Sequence, residues 1–303
     1  TTYNRPDLLE QRALKSISTQ TEGYDAVVLV DNSDSEVTKK KNREIFEEMF
    51  CDGIYLINER TPGAAGTWNH GLNWIDENYP DAWVAIIDDD DEWTPEHLEI
   101  CKLNMGENDA VVSGIRTILN GEPIEDRTPD SLSISDFFAS NPGWQGSNTF
   151  IRIESIKKAG FFDEKLLCTH DRDLAIRCLK NTGFKVAFSD KVTLLYHLEK
   201  HRESLTMTQG RGKHTGLLQF YSKHKKIMTE EDENAFLKRS KELFGLDSDF
   251  FQITDTSMDY SGFPAMSEVN ENTLRFRIRK IVHKFKKIWW RFRVRKGATK
   301  VLG

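Results

Sequence analysis

Five consecutive acidic residues, Asp88-Asp89-Asp90-Asp91-Glu92, follow directly on the apolar run Trp83-Val84-Ala85-Ile86-Ile87. A short apolar run without polar alternation predicts a strand buried on both faces. Carboxylates crowded at the end of such a strand repel one another unless a cation sits among them. Oxygen-rich clusters of this kind suit Mg²⁺ or Mn²⁺, which proteins hold with one or two carboxylates and complete with substrate phosphates. Open α/β sheets also bind their ligands at the carboxyl ends of strands. The run is equally readable as a solvated acidic turn that caps the next helix.

The surrounding sequence alternates predicted strands and helices. Strands are expected over 24–30, 54–57, 83–87, 111–119, 150–153, 185–188 and 192–196. Helices are expected over 36–50, 67–78, from Thr94-Pro95-Glu96 onward, and over 156–160, 170–180 and 214–245. Thr94 is the expected cap there, with Pro95 in the first turn. Residues 121–129 read as a loop. This alternation predicts an α/β fold with a largely parallel sheet. No apolar stretch approaches the ~18 residues of a membrane span, and no signal peptide is visible. The four cysteines, Cys51, Cys101, Cys168 and Cys178, form no CxxC pair and no zinc spacing. They read as reduced thiols of a cytoplasmic protein. There is no GxxxxGK[ST] phosphate loop and no GxGxxG fingerprint.

Four stretches in order carry a resemblance. They are Thr2-Tyr3-Asn4-Arg5-Pro6, Val28-Leu29-Val30-Asp31-Asn32-Ser33, Asp88-Asp89-Asp90-Asp91, and Thr169-His170-Asp171-Arg172-Asp173-Leu174 through Arg177. Together they resemble family-2 glycosyltransferases of the GT-A fold, the third stretch matching the DxD motif. The resemblance covers residues 1–206. It implies a GT-A-type, Rossmann-like nucleotide-binding sheet with helices on both faces, plus a C-terminal helical appendage. Residues 1–119 would form the nucleotide-sugar half and 120–206 the acceptor half. A helical and loop extension over 207–271 and a basic tail over 272–303 would follow. The family's first strand is expected ahead of Thr1, so the sequence reads as clipped there, and such a chain is expected to be unstable alone.

The resemblance implies roles residue by residue. Asn4 and Arg5 would lie near the nucleotide, Asp31 would accept from its base, and Asp88 would face the ribose, with Asp89 beside it. Asp90 would bind the Mn²⁺ or Mg²⁺ that bridges the diphosphate, and Asp171 would be the general base. A carboxylate can take the proton of an acceptor hydroxyl, and a divalent ion offsets charge on a leaving diphosphate. Asp171 alone would read as a helix cap. His170 stands where the family has Glu, beside the acceptor. The loop Asn58 to Asn69 resembles a donor loop, with Asn69 near the donor, or is a flexible loop with a helix cap. Trp144, Gly146 and Ser147 fall in a stretch that resembles the sugar and acceptor loop. Trp144 would stack on a sugar or sit in the core. His197 and His201 are candidate metal or phosphate contacts after the last strand, or structural histidines.

The expected reaction is transfer of a sugar, UDP-linked, to a hydroxyl of a cell-surface glycan or lipid-linked acceptor, with inversion. The alternatives are a nucleotidyltransferase-like enzyme and a catalytically inactive GT-A scaffold at membranes.

Charge is divided unevenly along the chain. Residues 272–303 carry twelve Lys/Arg and no Asp/Glu, so the remaining thirty basic residues face 48 acidic ones, a net of −18 for residues 1–271. Within the tail Leu274, Ile278, Ile281, Phe285, Ile288 and Phe292 recur at helical spacing, beside Trp289-Trp290. A basic amphipathic helix with aromatics predicts docking on an anionic membrane surface, peripheral on the inner face of the cell membrane. A coiled-coil or partner-docking helix is the next reading. Nucleic acid is disfavoured as a partner because the acidic body repels phosphates. In liposome co-sedimentation the full chain should pellet with anionic vesicles and a 1–271 truncation should not; equal pelleting of both rejects the docking role.

Overall fold

In the computed structural model, residues 1–199 and 211–252 are described. Strands β1 (Val28–Asp31) and β2 (Ile54–Ile57) pair in parallel, from Val28 opposite Ile54 to Asp31 opposite Ile57. Strands β3 (Trp83–Ala85), β4 (Glu92–Trp93), β5 (Ala110–Leu119), β6 (Glu122–Arg127), β7 (Thr149–Arg152) and β8 (Val186–Leu198) form a second sheet. Its order is β3-β7-β5-β8-β4, with β6 also paired to β5. Helices Glu36–Met49, Ala64–Asn78, His97–Met105, Ile153–Lys158, His170–Lys180, Arg211–His224 and Glu230–Phe244 pack around the strands. Pro6–Leu8, Leu9–Leu14 and Lys15–Ser18 form one further helical stretch, the middle part π-helical.

The larger sheet is mixed, not largely parallel as the alternation predicted. Within it β5 and β8 run parallel, whereas β3/β7, β5/β7, β4/β8 and β5/β6 are antiparallel. The cause is the connection after β5, which is a hairpin and a loop instead of a crossover helix, so β7 returns antiparallel. Residues 121–129, expected as a loop, contain β6. Asn120 and Gly121 both take positive φ, 50° and 87°, the geometry of a tight two-residue hairpin. The two strands expected over 185–188 and 192–196 are one strand, β8. Its register against β5 shifts around Gly114, where a Cβ would lie 2.8 Å from the Lys191 carbonyl oxygen. The helix expected from Thr94 starts at His97, whose N–H donates to the Thr94 carbonyl at 3.1 Å.

Strand β5 explains why the apolar runs lack alternation. Ala110 and Val112 join one core with Trp68, Ile151, Ile156, Leu174 and Phe236. Val111 joins Cys101 and Phe150 on the other side. Successive side chains point to opposite faces, so a strand covered on both must be apolar throughout. A separate core under the acidic run gathers Leu9, Leu14, Leu29, Phe46, Ile87, Trp93 and Ile115.

Thr1 and Thr2 stitch the two sheets together. The Thr2 N–H donates to Val30 O at 3.1 Å, and Asn32 N–H donates to Thr2 O at 3.0 Å. On the other side Thr1 N donates to Ile87 O at 3.0 Å, and Asp89 N–H donates to Thr1 O at 3.1 Å. Behind this stitch an apolar cavity of about 660 Å³ separates β1 from β3, lined by Leu14, Val28, Val30, Leu72, Val84 and Ile86 among others. Among the described residues no helix is long and apolar enough to cross a membrane. The amphipathic tail, and the end of the predicted 1–206 unit, lie outside the described residues.

Two glycines should separate close packing from backbone strain. A Cβ on Gly66 would lie 1.9 Å from the Thr61 carbonyl oxygen, so the loop ahead of the Ala64–Asn78 helix folds back onto a bare backbone. Gly121 has positive φ but nothing within 4 Å. In urea denaturation Gly66→Ala should lose more than about 2 kcal/mol through overpacking. Gly121→Ala should lose only about 1 kcal/mol through strain.

Candidate active site

The acidic run leaves β3 at its carboxyl end, and each carboxylate meets a different fate. Asp89 is buried. Its Oδ2 accepts from Thr2 Oγ1 at 2.8 Å, Tyr3 N–H at 3.2 Å and Arg5 Nε at 3.2 Å. Its Oδ1 faces Arg5 Nη2 at 2.6 Å. Burial pushes the Asp89 carboxyl up to about 6, against the pull of Arg5. Asp90 is half-buried, and Arg5 Nη1 lies 2.9 Å from its Oδ2. Burial works to lower the Arg5 pKa, but Asp89, Asp90 and Asp88 outweigh it and hold the guanidinium charged. Asp88 Oδ1 accepts from Thr1 Oγ1 at 2.7 Å and from Trp68 Nε1 at 3.0 Å. Burial and then, among the raising influences, the like charge of Asp90 lift its pKa. Asp91 N–H closes the turn on Asp88 O at 3.1 Å.

Asn4, with φ of 55°, folds the next loop against Asp34: its Nδ2 donates to Asp34 Oδ2 at 3.0 Å, and Asp34 N–H donates to Asn4 Oδ1 at 3.2 Å. Asp31 ends β1 fully buried. It accepts from Ser33 N–H at 2.7 Å, Asn42 Nδ2 at 2.8 Å and Tyr55 Oη at 2.5 Å, which leaves no surface to a ligand. Asn69 is also buried. Its Nδ2 donates to Phe162 O and Glu164 Oε1, and its Oδ1 accepts from Phe162 N–H, so it ties the Ala64–Asn78 helix to the 162–164 loop.

The loop from Asn141 to Asn148 connects the acidic run to the second candidate centre. At one end Ser147 Oγ accepts from Asp88 N–H at 3.2 Å, and Ser147 O accepts from Trp93 Nε1 at 2.6 Å. Gly146 lies against Trp68 and Ile86. At the other end Asn141 Nδ2 donates to Asp171 Oδ2 at 2.5 Å and to Trp144 O at 2.6 Å. Asn141 Oδ1 accepts from Gly143 and Trp144 N–H, at 2.8 and 3.0 Å. Trp144 is 3% exposed, with its Nε1 on Thr149 Oγ1 at 2.8 Å and its ring beside Phe137 and Phe184, so it is a core residue in this arrangement.

Asp171 lies in the first turn of the His170–Lys180 helix, half-buried, and its Oδ1 accepts from Arg172 N–H at 2.8 Å. His170 turns inward. Its Nε2 meets Leu166 O at 2.8 Å, its ring meets Trp68 edge-on at 5.9 Å, and burial lowers its pKa. His197 Nε2 meets Glu92 Oε2 at 3.1 Å. His201 lies outside the described residues.

Trp68 and Asn141 went unrecognised in the sequence as site residues. Trp68 sits at helical spacing with Leu72 and Ile75 and reads as packing; only the fold brings its indole N–H to Asp88. No local signal marks Asn141. Among the described residues, no three His, Cys, Asp or Glu side chains gather as a preformed metal cage. The Arg5 guanidinium against Asp90 nevertheless shows a carboxylate already facing a positive charge. One or two carboxylates, completed by phosphate oxygens and water, are a sufficient set for Mg²⁺. The residues present therefore fit a divalent ion that arrives with a diphosphate.

The profile of glycosyl transferase family 2 matches residues 1–163, just over half of the chain. The chain belongs to glycosyl transferase family 2. It is similar to the uncharacterized glycosyltransferase MJ1057 of Methanocaldococcus jannaschii, 27% identical over 65% of this chain and 68% of that protein. It is also similar to WcaA of Escherichia coli K12, a glycosyl transferase named for colanic acid biosynthesis, 26% identical over 74% of this chain and 79% of that one. Among solved structures, S. aureus TarS 1-349 in complex with UDP-GlcNAc superposes with a TM-score of 0.57 at 16% identity. That match covers 79% of this chain and 70% of that one. The chain spans only 42% of a longer TarS structure, with a TM-score of 0.54. These likenesses establish the GT-A fold, and the chain is a family 2 glycosyltransferase.

The helix that carries Asp171 is anchored from below. Asp173 is fully buried, with Arg177 Nη2 at 2.8 Å, Lys223 Nζ at 2.7 Å and His224 Nε2 at 2.9 Å. Burial alone would raise its pKa, but these partners outweigh burial and hold it far below the usual carboxylate range. A depressed carboxyl contributes stability above its unfolded pKa of about 3.9 and loses it as pH falls toward the folded value. Asp173→Asn should therefore cost about 3 kcal/mol at pH 7, since it takes the buried counter-charge from Arg177 and Lys223. In urea melts across pH the gap between wild type and variant should shrink below about pH 4.

Proposed function

We propose that the chain transfers a sugar from a UDP-linked donor to an acceptor hydroxyl, with inversion, and with Asp171 as the general base. One observation carries this reading. The Asn141–Asn148 loop touches Asp88 through Ser147 and Asp171 through Asn141, so a diphosphate-binding edge and a carboxylate base share one short support. Precise mutual placement of donor and base is what a single displacement requires.

Asp171 would take the proton of the acceptor hydroxyl as its oxygen bonds to the anomeric carbon. The bond from that carbon to the diphosphate breaks with its electron pair, and a nucleoside diphosphate leaves. Attack on the face opposite the leaving group inverts the centre. Asn141 fixes the orientation of the Asp171 carboxylate by donating to its Oδ2. Asp90 would hold Mg²⁺ or Mn²⁺ together with the donor, and the ion would supply positive charge to the leaving diphosphate. Arg5 is the nearest fixed cation to the same carboxylates. The UDP-GlcNAc complex of the structurally similar TarS supports a UDP-linked donor. The basic amphipathic tail supports an acceptor held at a membrane, such as a lipid-linked glycan.

Calorimetric titration of UDP, GDP and dTDP, with and without Mn²⁺, tests the donor half. UDP should bind only with Mn²⁺, and Asp90→Ala should abolish binding. Asp171→Asn should keep UDP binding while kcat falls by about 10²- to 10⁴-fold, the usual contribution of a general base. Retained transfer in Asp171→Asn removes it from the mechanism. UDP binding that ignores Mn²⁺ removes the metal.

A further inference from the structure

Two arginines hold the acidic turn, and they grip different parts of it. Arg5 reaches the side chains of Asp89 and Asp90. Arg12 reaches the main chain instead: its Nη1 donates to the Asp90 carbonyl oxygen at 3.1 Å. Its Nη2 pairs with Glu199, which directly follows β8. The Arg12 side chain is only 16% exposed, so this fork lies largely away from solvent. One guanidinium therefore ties the turn between β3 and β4 to the end of β8.

Arg12 stands on an unusual support. The stretch that carries it, Leu9–Leu14, is π-helical. Such turns are rare and short, and they concentrate at functional sites. Leu9, Ala13 and Leu14 of this turn are buried in one core with Ile87 and Trp93, which flank the acidic run. The Asp90–Asp91 peptide is fixed at both of its polar groups. Its N–H donates to Asp88 O at 3.1 Å, and its carbonyl accepts from Arg12. A peptide plane bonded on both sides cannot rotate without losing both bonds. The two arginines also respond differently to a cation. An ion on the Asp90 carboxylate competes with Arg5 for the same oxygens, and the two positive charges repel. The Arg12 contact is to the main-chain oxygen and leaves the carboxylate free of that competition.

We propose that Arg12 is a positioning residue for the donor edge: it locks the Asp90–Asp91 peptide, and with it the direction of the Asp90 carboxylate, when that carboxylate is shared between Arg5 and a divalent ion. The inference rests on Asp90 as the residue that holds the ion arriving with the donor. Arg12 acts through the turn and not on the ion. Glu199 belongs to the same device, because it holds the second arm of the Arg12 fork. A planar fork that serves a carbonyl and a carboxylate at once is a geometry that arginine supplies.

Calorimetric titration of UDP into the full chain at a series of fixed Mn²⁺ concentrations reads the Mn²⁺ requirement. Arg12→Gln should raise that requirement by about 10- to 100-fold, the usual cost of losing a group that orients a metal ligand. Glu199→Gln should shift it in the same direction, and the double variant should go no further than Arg12→Gln alone, as expected of coupled partners. The Glu199→Gln shift decides the outcome if Arg12→Gln does not fold. Ile17→Val, which trims the same core further along the helical stretch, is the control for a loss of packing. It should lower the melting temperature and leave the Mn²⁺ requirement unchanged. In the metal-free protein, hydrogen exchange of the Asp91 N–H should quicken in Arg12→Gln and not in Ile17→Val. A wild-type Mn²⁺ requirement in Arg12→Gln, or an equal shift in Ile17→Val, makes Arg12 a packing tie and overturns the inference. UDP binding by wild type that ignores Mn²⁺ is a separate result: it removes Asp90 as the ion's ligand, and the inference falls with it.

Discussion

Arg5 is the interaction on which the site depends. Four aspartates in a row at the end of a buried strand would push the turn apart, since two like charges 4 Å apart repel by about 4 kcal/mol near a protein surface. Arg5 reaches both Asp89 and Asp90, and Thr2 and the Tyr3 N–H complete the set on Asp89. The guanidinium suits this place because it is planar, always charged and offers parallel donors to two carboxylates at once. The same contacts fasten the segment Thr1 to Arg5 between β1 and the acidic turn. The placement of Thr1 to Arg5 and the charge balance of the acidic turn therefore have one cause.

Stability and activity pull differently around Asp171. Below it, Asp173 is saturated by Arg177, Lys223 and His224, a closed network that fixes the helix. Above it, Arg172 is held by the Phe137 and Phe138 carbonyls and the face of the Phe220 ring. A closed buried network rigidifies. One helix thus carries a structural anion on its inner face and the candidate base Asp171 in its first turn. Asn141 joins that turn to the loop that reaches the donor edge.

The motifs, their order and the elements that bear them were legible in the sequence. The apolar run before Asp88, the helix opening at His170 and the strand β5 are local patterns, fixed by strand burial and helical periodicity. Strand direction was not legible, because it depends on whether a connection crosses over or turns back, as after β5. The β6 hairpin carried a readable signal, Asn120-Gly121, that charge and composition masked.

Side-chain orientation divides what the sequence alone determined from what tertiary structure decided. The sequence by itself set the family, the acidic edge at the end of β3 and the candidate base, because these need only residue type, order and spacing. The burial of Asp31 against Tyr55, Asn69 against Phe162, Trp144 against Phe184 and His170 against Trp68 was decided in three dimensions. So were the Trp68 contact to Asp88 and the Asn141 contact to Asp171. Hydrogen bonds and Coulomb fields act through space at a few ångströms, and only the packed fold brings residues tens of positions apart within that range.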